Sequence, residues 1–135
     1  MQHTLRKSEI LRGYSVFSEI LKNGESIQSS ALQCYFKEQK REKNNPPVRI
    51  GFAVPRRDIA LAVERNRLKR LMREAFRTNK AQLVEAASRK DLQLALVLIF
   101  RKSGRTNVRQ IRYASIESDL KDVMSRIIST VTRLQ

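Results

Sequence analysis

The stretch LQLALVLIF, Leu92 to Phe100, holds one polar side chain and lies between Lys90-Asp91 and Arg101-Lys102. Side chains of a strand alternate between the faces of its sheet, so a strand apolar on both faces must be covered on both. Nine residues between charged flanks suit a strand better than a segment of buried helix. The chain therefore needs a sheet with this strand inside it and helices on either side. Partners are visible upstream. Ile27–Lys37 alternates, with Leu32, Cys34 and Phe36 on one face and Gln33, Tyr35 and Lys37 on the other. VRIGFAV, Val48–Val54, puts Val48, Ile50, Phe52 and Val54 inward and Arg49, Gly51 and Ala53 outward. Between them KREKNNPP, Lys40–Pro47, reads as an exposed loop, so the two strands are expected to pair as a long hairpin.

Helical spacing fills the rest. Phe17, Ile20 and Leu21 mark a first helix over Tyr14–Leu21, with Asn23-Gly24 where a left-handed C-terminal cap is expected. Glu64–Arg77, continued by NKAQLVEAASRK, makes the second. Ile111, Ile116, Leu120, Val123, Ile127, Val131 and Leu134 mark a long last helix over about Val108–Leu134. The result is an α+β fold, a compact α/β sandwich in the order α-β-β-α-β-α, with residues 1–135 as a single domain. A domain of that length buries about two-thirds of the surface its unfolded chain exposes, enough for one core.

With 41% hydrophobic residues the chain is ordinary for a globular protein, so its 28 Lys and Arg against 13 Asp and Glu belong to the surface. A folded domain of formal charge +15 favours a polyanionic partner, most commonly nucleic acid. No run of 18 apolar residues occurs, and MQHTLRKSEILRGY lacks the apolar stretch of a secretory signal, so a cytoplasmic protein is expected. Cys34 is the lone cysteine and reads as a small core side chain.

The charge concentrates in ERNRLKRLMREAFR, Glu64–Arg77, which has five arginines and one lysine. At about 100° per residue, Leu68, Leu71, Met72, Ala75 and Phe76 gather on one side and Asn66, Arg70, Arg73 and Arg77 on the other. Arg65 and Lys69 take one shoulder and Arg67 the other. Glu74 is expected to pair with Arg70 or Arg77, and Glu64 suits the amino end of the helix dipole. A solvated face is the plainest reading of a charge run, but solubility is served by mixed signs. Here Arg65/Lys69, Lys69/Arg73 and Arg73/Arg77 repeat like charge at four-residue spacing, which destabilises an isolated helix. An outside anion offsets that repulsion, and the arginine fork suits phosphate. A membrane or a peptide-binding groove would need the apolar face free, and the core uses it.

AVERNRLKRLMREAFR, Ala62–Arg77, resembles the "RNR" helix of the bacterial ribonuclease P protein family. The likeness rests on Arg65-Asn66-Arg67, Ala62-Val63, Lys69-Arg70, Arg73-Glu74 and Phe76-Arg77, with RIGFAV ahead of it and a first helix that carries Phe17 and ends at Gly24. It implies a left-handed βαβ crossover helix and an accessory subunit of the ribonucleoprotein endonuclease that removes 5′ leaders from precursor tRNA. Catalysis, with Mg2+, would lie on the RNA subunit and no catalytic residue on the protein. Its partners would be the catalytic RNA and the precursor tRNA leader, with no membrane and no obligatory protein partner. Carried over, Arg65, Asn66, Arg67, Lys69, Arg70 and Arg73 would contact RNA together with Arg56 and Arg57, and Phe17 and Tyr35 would line the leader groove. The chain departs from the family in Pro55–Leu61, which is longer and lacks a glycine, and at Leu21, where many members carry an aromatic. Arg101, Lys102 and Arg105 form a further basic loop.

The residues support the groove on their own. Tyr35 falls on the polar strand face, and Gly51 and Ala53 leave the neighbouring strand nearly bare there; an aromatic platform with basic edges suits a single strand. Packing of Tyr35 or Phe17 under the first helix is the structural alternative. An active site on the protein itself is poorly supplied. The single histidine is His3 near the terminus, and Asp58, Asp91, Glu117, Asp119 and Asp122 are scattered, the last three as helix-solubilising residues. A ribosomal or other structural RNA-binding protein is the alternative, and a DNA-binding module the third.

Overall fold

The computed structural model describes residues 5–101 and 107–133. After a 3-10 turn at Lys7–Glu9, the elements are α1 (Tyr14–Asn23), β1 (Glu25–Ser29), β2 (Leu32–Lys40), β3 (Val48–Ala53), α2 (Ala62–Asn79), α3 (Ala81–Arg89), β4 (Leu92–Phe100), a 3-10 turn at Val108–Gln110, and α4 (Tyr113–Arg133). His3, Lys102, Arg105 and Leu134 lie outside the described residues.

LQLALVLIF is the inner strand its composition demands. The sheet order is β1-β2-β4-β3, with β2 antiparallel and β3 parallel to β4. Leu94, Leu96, Leu98 and Phe100 join Leu32, Cys34, Phe36, Val48 and Ile50 in the larger core, roofed by Leu68, Met72, Phe76, Leu83, Ile116, Leu120, Val123 and Ile127 of α2, α3 and α4. Each large apolar side chain buried there contributes about 1.5–3 kcal/mol. Ala95, Val97 and Ile99 face the other way, where α1 covers them with Ile20, and Leu11 joins the same cluster. The chain ahead of α1 lies along β3, where Ile10 bridges Ile50 and the Leu11 amide donates to the Ile50 carbonyl at 2.9 Å.

Several elements differ from expectation. Ile27–Lys37 is not one strand but the β1–β2 hairpin. No Gly, Pro or Asn-Gly punctuates Ser30-Ala31; instead Asp119 of α4 accepts the Ala31 amide at 3.0 Å and the Ser29 hydroxyl at 3.4 Å. Asp119 is thus a turn clamp rather than a solubilising residue. Glu117 is committed too, accepting from Asn79 at 2.8 Å and from the Tyr113 hydroxyl at 3.1 Å, and these donors hold its carboxyl below the usual range.

β2 and β3 do not form a hairpin, because β4 lies between them. The Arg41–Pro47 connection crosses two strand spacings, about 10 Å, and is fastened to Gln93, whose Oε1 accepts from Asn45 at 3.3 Å. The second helix breaks at Lys80, whose ammonium turns inward to Glu9 at 2.7 Å, with both side chains nearly buried. Within its predicted core, Leu71 is only half-buried. The last helix begins at Tyr113 rather than Val108, since the Val108 and Ile111 carbonyls are taken by Arg67.

Gly24 is extended (φ −85°, ψ 164°) rather than left-handed. It is glycine because a Cβ would stand 2.6 Å from the Ile20 carbonyl oxygen and 2.7 Å from that of Phe36. Gly51 has a similar role, since a Cβ would meet the Phe17 ring at 2.2 Å.

Gly51→Ala should therefore destabilise the fold by about 1–3 kcal/mol in urea unfolding, and by clearly less in a Phe17→Ala background. Equal costs in the two backgrounds would show that this contact does not place Phe17.

Candidate nucleic-acid interface

α2 divides its residues by direction. Leu68, Met72, Ala75 and Phe76 are buried, and Asn66, Arg70 and Arg73 are exposed on the opposite side. Among the described residues, the side chains of Asn66, Lys69 and Arg70 make no hydrogen bond or ion pair within the protein. Their donors stand ready for an outside acceptor.

The two arginines of the Arg-Asn-Arg triplet are placed differently. Arg65 sends one guanidinium nitrogen to the carbonyls of Ile59 (2.9 Å) and Ala60 (2.6 Å). Arg67 donates to Val108 at 3.3 Å and to Ile111. Successive helix residues diverge by about 100°, so when Asn66 points outward its neighbours fall on the two flanks. There each fork ties α2 to the carbonyls of a neighbouring loop, and the Val108 carbonyl also accepts the Ile111 amide at 3.2 Å. Both residues predicted to touch RNA thus have a scaffolding task.

The other cations are sorted as well. Arg73 lies over the Phe52 ring at 5.8 Å, and Phe52 meets Phe76 edge-on at 6.3 Å. Arg77 bonds Glu74 at 3.1 Å, one of the two expected pairings, and the bond holds the Glu74 carboxyl below its usual range. Glu64 meets Arg109 at 3.0 Å. Arg56 is exposed, as is Arg57, which lies 3.7 Å from Asp58. They ride on a turn in which the Asp58 and Ile59 amides both donate to the Pro55 carbonyl, at 3.1 and 3.0 Å. Ile59 is buried as an anchor, and Arg65 satisfies the Ile59 and Ala60 carbonyls, so the step needs no glycine.

On the other side of the sheet, Phe17, Tyr35 and Ala53 pack half-buried around Val97, Ile20 and Ile99. Phe17 and Tyr35 are therefore brought to one face, with the Phe17 ring seated on Gly51. Polar contacts border it: Lys37 pairs with Glu19 at 2.6 Å, and Arg101 donates to Gln33 at 2.8 Å. Leu21 lies outside this cluster and is 41% exposed.

Cys34 is buried and its thiol is pushed up to about 12 by desolvation, which suits the core role expected of it. Among the described residues no group of three or more His, Cys, Asp or Glu side chains is placed to hold a metal ion, and no helix is long and apolar enough to cross a membrane. Phe52, expected only as an inward strand residue, and Arg109 and Arg112 are not among the expected site residues, although the cations continue past Arg105 to both arginines.

The ribonuclease P protein component of Chlorobaculum tepidum is 32% identical over 130 residues, which cover 91% of this chain and 84% of that protein. That of Chlorobium phaeobacteroides is 39% identical over 83 residues, 60% of this chain and 57% of the relative's own length. The solved RNase P protein of Thermotoga maritima superposes with a TM-score of 0.69 at 27% identity, over 87% of this chain and 96% of that one. The Staphylococcus aureus RNase P protein, at 22% identity and TM-score 0.67, shows the same fold over 90% of this chain and 96% of its own. The model of the Ribonuclease P family matches residues 5–128, so the outward cations of α2 and the aromatic face behind the sheet belong to a member of the ribonuclease P protein family, the protein components of the RNase P endoribonuclease.

Proposed function

We propose that this chain assists the ribonuclease P RNA in removing the 5′ leader of precursor tRNA, with α2 against the catalytic RNA and the Phe17–Tyr35 face along the single-stranded leader. Family membership carries the association with ribonuclease P RNA. The observation that supports the rest is the set of donors on the side chains of Asn66, Lys69 and Arg70, which have no partner among the described residues, on a helix whose other side is locked into the core. Arg73, Arg56 and Arg57 widen that set. Arginine and lysine here exchange condensed counterions for phosphates, so affinity falls as salt rises. The half-buried rings on the sheet's other face suit the leader, because stacking tolerates any base and is worth about 1–3 kcal/mol per base.

The chain's contribution is to bind and orient. Magnesium takes carboxylate and phosphate oxygens, and its chemistry is proposed for the RNA subunit, as the family resemblance implies.

The direct test is precursor tRNA cleavage at low millimolar magnesium by a bacterial ribonuclease P RNA alone, by this protein alone, and by both. Stimulated cleavage at the leader junction with both, and none with the protein alone, is the expected pattern; no stimulation by the protein would overturn the reading.

Arg70→Ala should weaken RNA binding and flatten the plot of log K against log salt by up to about one unit; Arg70 is a cleaner probe than Arg73, which also touches Phe52. Tyr35→Ala should cost precursor affinity while sparing mature tRNA, and equal losses for both would mark Tyr35 as structural. Arg67→Lys keeps the charge but cannot span two carbonyls, so it should lower stability by about 1–3 kcal/mol in urea unfolding.

A further inference from the structure

Between β4 and α4, the segment Asn107–Arg112 is bound tightly to α2. Val108 and Ile111 are buried. The Asn107 side chain accepts the Arg109 amide at 3.1 Å and shapes the 3-10 turn. Arg67 holds the segment by the carbonyls of Val108 and Ile111, and the Tyr113 hydroxyl, 2.9 Å from that of Thr78, fastens the start of α4.

With Val108 and Ile111 turned inward, Arg109 and Arg112 are left outside, and both are exposed. Glu64, Arg67 and Thr78 share one flank of α2 at about 100° per residue, beside the crest that carries Asn66 and Arg70. The segment they hold therefore runs alongside that crest. Arg109 pairs with Glu64, whose own side chain is 21% exposed, yet the arginine side chain remains 78% exposed, so the rest of its fork faces water. The Arg112 side chain has no hydrogen bond or ion pair among the described residues, so Arg109 and Arg112 add exposed positive charge beside α2.

We propose that Arg109 and Arg112 bind phosphates of a folded RNA beside Asn66 and Arg70, so that the RNA face spans two elements and Arg67 is the residue that positions the second. This rests on the reading of α2 as an RNA-binding helix. The segment carries arginine forks and no aromatic ring of its own between Asn107 and Arg112, so it fits a phosphate backbone rather than unstacked bases.

The test is filter binding to a bacterial ribonuclease P RNA over a series of KCl concentrations, with wild type, Arg70→Ala, the double variant Arg109→Ala/Arg112→Ala, and Arg109→Lys/Arg112→Lys. The double alanine variant should melt at the wild-type temperature and show a log–log salt slope shallower by about one unit per arginine. The double lysine variant should keep most of the slope. Glu64→Gln, which frees Arg109, should bind more tightly than wild type. An unchanged slope in the double alanine variant beside a flattened one in Arg70→Ala overturns this inference alone; unchanged slopes in both overturn the reading of α2 as well. Should the double alanine variant melt lower, the lysine pair and Glu64→Gln decide: loss of slope with lysine present and no gain from Glu64→Gln would make the two arginines structural.

Discussion

Burial of β4 on both faces is the constraint that sets the rest of the arrangement. An inner strand needs hydrogen-bonding neighbours on both edges, which places β2 and β3 on either side of it and prevents them from pairing with each other. It also needs two covers, and these are unequal. Leucines and a phenylalanine face the three-helix side, whereas Ala95, Val97 and Ile99 face α1. A short helix over small side chains leaves part of its face open, and Phe17 and Tyr35 stand there half-buried. The proposed leader face is what remains when a two-sided strand is covered fully on one side and partly on the other.

The same logic sorts the cations of α2. A helix that gives one side to the core has two flanks and one crest. The flanks touch neighbouring loops, so guanidinium groups there find carbonyl oxygens, as Arg65 does at Ile59 and Ala60 and Arg67 at Val108 and Ile111. On the crest, the side chains of Asn66 and Arg70 have no partner among the described residues, while Arg73 lies over Phe52 and Arg77 pairs with Glu74. Arginine serves both places because its planar fork binds two carbonyls as readily as two phosphate oxygens. A motif that looks uniform in charge therefore performs two tasks, separated by little more than the angle between adjacent residues.

Legibility in the sequence depended on whether a feature is local. β4, the alternation of Leu32, Cys34 and Phe36 in β2 and of Val48 and Ile50 in β3, and the apolar stripes Leu68–Phe76 of α2, apart from half-buried Leu71, and Ile116–Val131 of α4 are local patterns that emerge as read. The β1–β2 turn was not legible, because what holds it is Asp119, 88 residues away. The start of α4 was misplaced for a related reason: Val108 and Ile111 fit a helical stripe, but their carbonyls are claimed by Arg67 from another element. In the candidate interface, residue type identified the cations, while their directions needed neighbours that lie far along the chain. Arg109 and Arg112 were hidden because the helical spacing of the last helix runs through them. Gly24 and Gly51 show a third kind of limit: both are glycine for what approaches them, Ile20 and Phe36 in one case and Phe17 in the other.

The reach of Asp119 to Ala31, together with that of Arg67 to Val108 and Ile111, also imposes an order in time. A nascent chain that has emerged only as far as β4 possesses every strand, yet its first hairpin lacks the carboxylate that closes it and its α2 lacks the segment its flank is shaped to hold. Contacts of such sequence separation form late and slow the search for the native state. Until α4 docks, a strongly cationic helix with an uncovered apolar side is in contact with water, the very state in which a polyanion could bind it out of register. Completion of the proposed RNA face therefore waits on the last helix, and the fold delays its own competence until the core beneath that face is closed.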